Sequence, residues 1–336
     1  MASPVSSSPS PVFHIRSADA ADLPAITHCT LSAFTLFDVF GPAWNSDSGL
    51  LPARLSALPE SHGFVAVDEK NSVIGHAQWT HVAMHLLGGT RRAACLAPLS
   101  VRADRQRQGI GGALIRQGIA ALREAGIDLL FLLGHEAYYP RFGLQCGCLG
   151  RHALSIAMPE ALAADPEGYR LRPLHDGDEF ALRALWHRLC GGVDGALEPG
   201  PGLLPWSSAT RGIIACVLER GGQIVGHARF DARAEAMADS GVLRFLAADA
   251  ASAGVLASRI AGWTGWQAKS LTLPLPAGSA HVQELFAGRE PEPVFERWAP
   301  GMAMALQQNE TETLLARIQA GEAPPLFIEW PSLFDY

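Results

Sequence analysis

The sequence predicts an α+β (mixed α/β) protein made of two tandem copies of one unit, each a mixed, mostly antiparallel sheet flanked by helices. Three observations carry this. First, Ser72-Val-Ile-Gly75-His76-Ala77-Gln-Trp79 lines up with Gln223-Ile-Val-Gly226-His227-Ala228-Arg-Phe230, an offset of 151 residues. Second, Phe13-His-Ile15-Arg16 with Asp19 and Asp22 resembles Tyr169-Arg-Leu171-Arg172 with Asp176 and Asp178, offset by 156 at Ile15/Leu171. Third, both halves run through strand, helix and hairpin periodicities in the same order.

Each element has a local reason. A short strand (Val12 to Arg16; Tyr169 to Pro173) leads into an Asp-rich turn able to cap a helix. The helices follow at about Ala20 to Phe34 and Glu179 to Cys190. A first hairpin joins Gly63 to Val67 with Val73 to His81 through Asp68-Glu-Lys-Asn71. A second joins Ile213 to Leu218 with Gln223 to Asp231 through Gly221-Gly222. Asp165-Pro-Glu-Gly168 is the natural linker. The expected organisation is therefore a Ser/Pro-biased disordered tail over 1–12, a first domain over 13–165, a second over 166–306, and a C-terminal piece over 307–336. That last piece holds a helix from about Glu310 to Ile318, stopped near Gly321, and an aromatic tail, LFIEWPSLFDY, that must dock on something. Trp263, Trp266, Trp298 and Trp330 read as core and interface packing.

Composition excludes whole classes. The chain has 336 residues, 48% hydrophobic, and a net charge of −7. Length suggests about two domains, and apolar content suffices for a core in each. The acid excess argues against nucleic acid or an anionic membrane as partner, since both reward clustered Lys and Arg. The densest apolar stretch, Leu129 to Leu133, is far short of the ~20 residues a spanning helix needs. The N-terminus lacks a secretory pattern, so a cytoplasmic location is expected. Six cysteines are scattered without a CxxC pair. Cys146-x-Cys148 with His152 lacks the second pair a zinc site needs, so buried free thiols and no metal are expected.

The chemistry concentrates in Leu96-Ala-Pro-Leu99-Ser100-Val101-Arg102-Ala-Asp-Arg105-Gln106-Arg107-Gln108-Gly109-Ile110-Gly111-Gly112. An apolar strand ends near Val101, a basic loop follows, and glycines open a helix whose Ile110, Leu114, Ile115, Ile119 and Leu122 fall at three- and four-residue spacing. Gly126 stops that helix. Unpaired N–H groups at such a start, with the positive end of the helix dipole, form an anion site. Arg105 and Arg107 flank it. A P-loop needs a Lys, and none is near. A dinucleotide fingerprint needs glycine where Leu114 stands, so NAD(P) is disfavoured.

What remains is Gln106-x-x-Gly109-x-Gly111, and with it the chain resembles the acetyl-CoA-dependent N-acetyltransferases of the GNAT superfamily. The next segment agrees: the strand Asp128 to Gly134 leads into His135-Glu136-Ala137-Tyr138-Tyr139-Pro140-Arg141-Phe142-Gly143-Leu144. The resemblance covers about Phe13 to Ala161, best over 96–144. It implies that the strand at Leu99, Ser100 and Val101 splays from the one at Leu130 to Leu133, and that the pantetheine arm of acetyl-CoA lies between them. It implies that Arg107 and the N–H groups from Gln108 through Gly109, Ile110, Gly111 and Gly112 hold the pyrophosphate. The Val101 N–H would polarise the thioester carbonyl, and Tyr139 would protonate the leaving thiolate. It implies that the acceptor is a primary amine of an unidentified small molecule or peptide, attacking directly in a ternary complex. His76, His81, His135 and Glu136 stay open as general base, and Tyr138 reads as a packing aromatic. Asp38, Asp47 and Glu60 could pair with a cationic acceptor.

In the second half, Gly241 to Ile260 keeps strand and helix but loses Q-x-x-G-x-G, and Ser279 to Gly288 offers no Tyr. That half is expected to be a degenerate GNAT-like domain that shapes the acceptor cleft or forms a homodimer. A non-catalytic CoA-responsive sensor or assembly module is the alternative to an enzyme.

Overall fold

The computed structural model describes residues 13–34, 51–56, 61–157, 168–203, 205–208, 212–232, 241–264, 270–286, 292–308 and 310–328. The expected tail over 1–12, the linker from Asp165 to Glu167, the carboxylates Asp38, Asp47 and Glu60, and Trp266 and Trp330 lie outside them. Contacts divide the chain into two units. One holds residues 1–82 and 92–132; the other holds 83–91 and 133–336.

In the first unit, β1 (Phe13–Ser17) is followed by a 3-10 turn and α1 (Leu23–Phe34). The reason is a capping box: Asp19 accepts the Ala21 N–H at 2.8 Å, and Asp22 accepts the Asp19 N–H at 2.9 Å. Asp22 is fixed in turn by two hydrogen bonds from Arg16, at 2.6 and 2.8 Å. Then come α2 (Leu51–Ser56), β2 (Ser61–Asp68), β3 (Val73–Leu86), β4 (Gly89–Val101), α3 (Ile110–Glu124) and β5 (Leu129–Leu133). The strands lie in the order β1-β2-β3-β4-β5, antiparallel at β1–β2 and β2–β3 and parallel at β4–β5. Ile26, Cys29, Val65, Val67 and Val73 form a small core beneath α1.

Two glycines set how closely α3 lies on the sheet. A Cβ at Gly75 would stand 2.8 Å from Ile110 Cγ2 and 3.1 Å from Leu114 Cδ1. One at Gly118 would stand 1.9 Å from Trp79 Cζ2, and Trp79 is fully buried. These contacts explain why the strand and the helix each carry a glycine.

The second unit holds β6 (Leu149–Ala157), β7 (Tyr169–Pro173), α4 (Glu179–Cys190), β8 (Ile213–Arg220), β9 (Gln223–Asp231), β10 (Val242–Ala247) and α5 (Ala250–Thr264). It continues with β11 (Ser270–Leu273), α6 (Ala280–Leu285), β12 (Glu292–Arg297), β13 (Gly301–Ala305), α7 (Glu310–Gln319) and β14 (Leu326–Phe327). The meander β7-β8-β9-β10 repeats β1-β2-β3-β4 in order. The likeness reaches individual contacts. Arg172 donates to Asp178 at 2.7 and 2.9 Å, and Asp178 accepts the His175 N–H at 2.8 Å, as Asp22 accepts that of Asp19. Gly226 meets Leu256 of α5 as Gly75 meets α3. The β8–β9 turn carries Gly221 and Gly222 at φ 58° and 78°, the left-handed pair of a type I′ hairpin.

The core of this unit gathers Trp186, Trp206, Phe230, Phe245 and Leu256. Trp263, expected in packing, instead stands exposed with its ring 5.9 Å from Phe230. The C-terminal tail docks: β14 pairs parallel to β6, and Leu326, Phe327 and Ile328 are buried. β3 runs five residues beyond the expected His81 because its end finds partners. His85 donates its N–H to Ala196 O, Gly195 returns one to His85 O, and Glu198 donates to Ala83 O.

Candidate functional site

In the first unit, β4 and β5 pair only at Ala93–Leu129, Ala94–Leu130 and Cys95–Phe131. From Leu96 onward β4 continues without β5. Arg102 donates its N–H to Ile74 O on β3 at 3.0 Å, so the alternation of the strand turns the N–H and C=O of Val101 to the opposite edge. Leu99 shares that edge by the same period of two. Gln106 returns to this edge and donates from Nε2 to Val101 O at 3.2 Å, tying the loop to the strand. Ser100, by contrast, is buried, with its Oγ 3.1 Å from Thr30 Oγ1.

The loop then enters α3 through Arg107 and Gly109, both left-handed at φ 61° and 82°. A Cβ at Gly109 would meet nothing within 4 Å. The first backbone bond of the helix runs from the Ala113 N–H to Gly109 O, so the N–H groups of Gln108, Gly109, Ile110, Gly111 and Gly112 find no acceptor among the described residues. With the helix dipole they make an anion cradle.

The charge of the loop is smaller than its sequence suggests. Arg102 is held by Asp104 at 2.6 Å and Arg105 reaches Asp68 at 3.5 Å. Among the described residues only Arg107 of the three carries no ion pair. Asp68 also accepts the N–H groups of Lys70 and Ser72, both at 3.0 Å, which hold its carboxyl below the usual range. Asp68, read from the sequence only as part of a hairpin turn, and Gln106, read only as the first residue of its motif, are the two groups whose contacts tie this loop down.

The candidate bases separate by environment. His76 is fully buried, and that burial pushes its imidazole down to about 4, so it is neutral at pH 7. A buried imidazole with so low a pKa is poorly matched to taking a proton from an ammonium. His81 is half-buried with its ring 4.9 Å from His62, whose pKa burial also lowers. His135 and Glu136 are exposed and belong to the second unit.

Tyr139 also belongs to the second unit, where it is half-buried and opens a 3-10 turn, Tyr139–Phe142. Its ring stands edge-on to Tyr138 at 5.1 Å. Tyr138 packs as expected, with Arg141 4.5 Å above its ring.

In the second unit the start of α5 is occupied from within. Asp249 accepts the Ser252 N–H at 2.7 Å and is paired with Arg220 at 2.8 Å. Cys29, Cys95, Cys148, Cys190 and Cys216 are buried free thiols, and Cys146 is half-buried. His152 Nε2 lies 2.7 Å from Pro325 O rather than toward the cysteines.

A strand that departs from its neighbour thus lies beside a glycine-rich helix start with no side-chain cap, and comparison with known proteins covers this same stretch. Residues 14–147 match the acetyltransferase (GNAT) domain model. Through that segment the chain belongs to the GNAT superfamily. YjhQ of Escherichia coli, an uncharacterized N-acetyltransferase, is 38% identical over 76 residues, 23% of this chain and 42% of its own. The chain spans less than half the length of the curated relatives it matches. A GNAT family acetyltransferase from Brucella melitensis, solved with acetyl-CoA, is 33% identical over 40% of this chain and 83% of that one, with a TM-score of 0.36. A GCN5-related N-acetyltransferase from Anabaena variabilis is 13% identical over 88% of this chain and 73% of that one, with a TM-score of 0.63. That last likeness is one of fold alone. It extends the acyltransferase fold, a mixed α/β arrangement rich in antiparallel strands, well past residue 147. Among the described residues no helix is long and apolar enough to cross a membrane.

Proposed function

We propose that the first unit binds acetyl-CoA and that the protein transfers its acetyl group to a primary amine of a small molecule or peptide. The observation that carries this reading is the end of β4–β5 pairing at Cys95 and Phe131, next to five N–H groups without acceptors at the start of α3. A pantetheine amide fits the edge at Leu99 and Val101, which β5 leaves unpaired and where Val101 O already accepts from Gln106 Nε2, as an added strand would. A pyrophosphate fits the cradle from Gln108 to Gly112, with Arg107 beside it and without an ion pair among the described residues.

The amine nitrogen attacks the thioester carbon while the Val101 N–H, which faces that edge, donates a hydrogen bond to the carbonyl oxygen as negative charge grows on it. The C–S bond breaks and Tyr139 gives its proton to the leaving thiolate. The proton lost by the amine goes to a base that stays open among His81, His135 and Glu136, since His76 is buried and neutral. The second meander is a degenerate copy without affinity for CoA. The Asp249 carboxylate supports this reading, since it puts negative charge where a phosphate would need positive. That copy shapes the acceptor cleft or pairs with a second chain. The buried free thiols fit a reducing compartment, the cytoplasm.

The test is acetyl-CoA binding by calorimetry beside thiol release over a panel of amines. Wild type binds and turns over. Gly111→Trp loses binding, and Tyr139→Phe keeps binding but loses turnover. Intact binding by Gly111→Trp overturns the site, and binding without turnover on any amine leaves a CoA-responsive module.

A further inference from the structure

The geometry points to a divalent metal site of the zinc class at His85, His187 and Glu198 in the second unit, apart from the acyl-transfer reading and independent of it. The three residues come from separate segments: the end of β3, the last turn of α4, and the loop after it. Their ligand atoms all lie within 4.8 Å of one another. His85 Nε2 stands 3.1 Å from Glu198 Oε2, and His187 Nε2 stands 2.9 Å from Glu198 Oε1. A tetrahedral zinc with ligands at about 2.0–2.1 Å has ligand–ligand edges of about 3.3 Å, so the two short contacts open by a few tenths of an ångström while the wider separations, up to 4.8 Å, close. Two imidazoles and a carboxylate suit zinc and its neighbours rather than calcium or magnesium. His187 is half-exposed, which leaves a path for the ion and a fourth position for water.

Two contacts oppose loading, and each has an answer in the structure. Arg183 donates to Glu198 Oε1 at 3.1 Å, but it also donates to Pro199 O at 2.5 Å and Gly200 O at 3.2 Å, where it can stay. The Gly192 N–H points at His85 Nδ1 at 3.2 Å, which places the His85 proton on Nε2. A metal on Nε2 requires that proton to move to Nδ1 and the Gly192 contact to open. The site is therefore weaker than a closed centre of four ligands. Bound there, a metal would staple the β3 end to α4. That end is already laid along residues 194–198 by the Met84–Leu197 bridge and its flanking bonds.

The experiment uses the full chain, stripped with chelator and then given zinc or cobalt(II) at about 10 µM. Trp186, with its ring 5.5 Å from His85 and 5.3 Å from His187, reports paramagnetic cobalt by quenching. Expected are one zinc retained per chain, a higher Tm with zinc, and cobalt quenching that zinc reverses. His187→Asn, at an exposed position that leaves the fold intact, weakens retention by at least about tenfold, as even the loss of a supporting group does. Glu198→Gln does the same. No zinc retained by wild type, or zinc retained equally by His187→Asn, overturns the proposal and leaves a hydrogen-bonded clamp. Neither outcome bears on acetyl-CoA binding.

Discussion

Gly118→Ala probes the contact that sets α3 on its sheet. An added Cβ would lie 1.9, 2.1 and 2.7 Å from Trp79 Cζ2, Cε2 and Nε1. Ordinary carbon contacts are about 3.5–4.0 Å, so helix and ring must part by about 1.5 Å. The indole has no room to yield, being fully buried on β3. Overpacking of this kind costs about 1–3 kcal/mol, and a clash with three ring atoms belongs at the upper end. Alanine returns about 1 kcal/mol of helix propensity, which leaves a net loss of about 2 kcal/mol. For a domain of this size that lowers Tm by about 4–8 °C. With the proposed phosphate cradle at the start of α3, acetyl-CoA affinity is expected to fall too. Scanning calorimetry measures the first effect and titration calorimetry the second. Trp79→Leu in the Gly118→Ala background removes the clash, so a double-mutant cycle shows a coupling of about 1 kcal/mol or more. A Gly118→Ala Tm within about 1 °C of wild type, or an additive cycle, would refute the reasoning.

Three further outcomes follow from the same structure. Gly109→Ala forces a Cβ into a left-handed conformation at φ 82°; it costs about 1 kcal/mol in urea unfolding and weakens acetyl-CoA binding about tenfold, while an unchanged affinity would remove Gly109 from the cradle. Asp178 has its pKa lowered first by its hydrogen bond with Arg172, so its contribution is present above about pH 4 and is lost as pH falls below. Asp178→Asn loses about 2–3 kcal/mol at pH 7 and flattens the urea midpoint against pH in that acid range. His76 has a folded pKa of about 4 against about 6.5 unfolded, so the unfolded chain takes the proton first. Stability then falls as pH drops from 6.5 toward 4, by up to about 3 kcal/mol for this group, and His76→Gln should shrink that slope.

What the sequence made legible was local. The α4 bounds, Glu179–Cys190, match expectation because an Asp-rich turn caps one end and a glycine closes the other. The two meanders were legible because a helix-facing glycine recurs in each, at Gly75 and Gly226, and because the Arg–Asp pairs recur before each first helix. The Q-x-x-G-x-G helix start was legible because its chemistry is backbone chemistry, written in glycine spacing. Long-range partners were not. Nothing near His81 says that β3 will run on to Leu86, since its partners are residues 194–198. Nothing near Arg105 says that Asp68, across a hairpin turn, will take up part of its charge. The cue at Asp249 was present, an Asp just before an apolar helix, and reads as a cap once its Ser252 bond is seen.

The edge of β4 that β5 leaves unpaired from Leu96 to Val101, where Gln106 reaches Val101 O, would make the proposed ligand and the fold parts of one equilibrium. A molecule that fills that gap completes a sheet, so its concentration enters the stability of the protein. At one hundred times its Kd it adds about 2.7 kcal/mol. Amide hydrogen exchange along this strand then becomes a reporter of occupancy: Leu99 and Val101 exchange freely when the edge is bare and slow when it is covered. The amides that face β3, such as Arg102, keep their protection throughout. Two neighbouring residues on one strand thus report separately on occupancy and on folding.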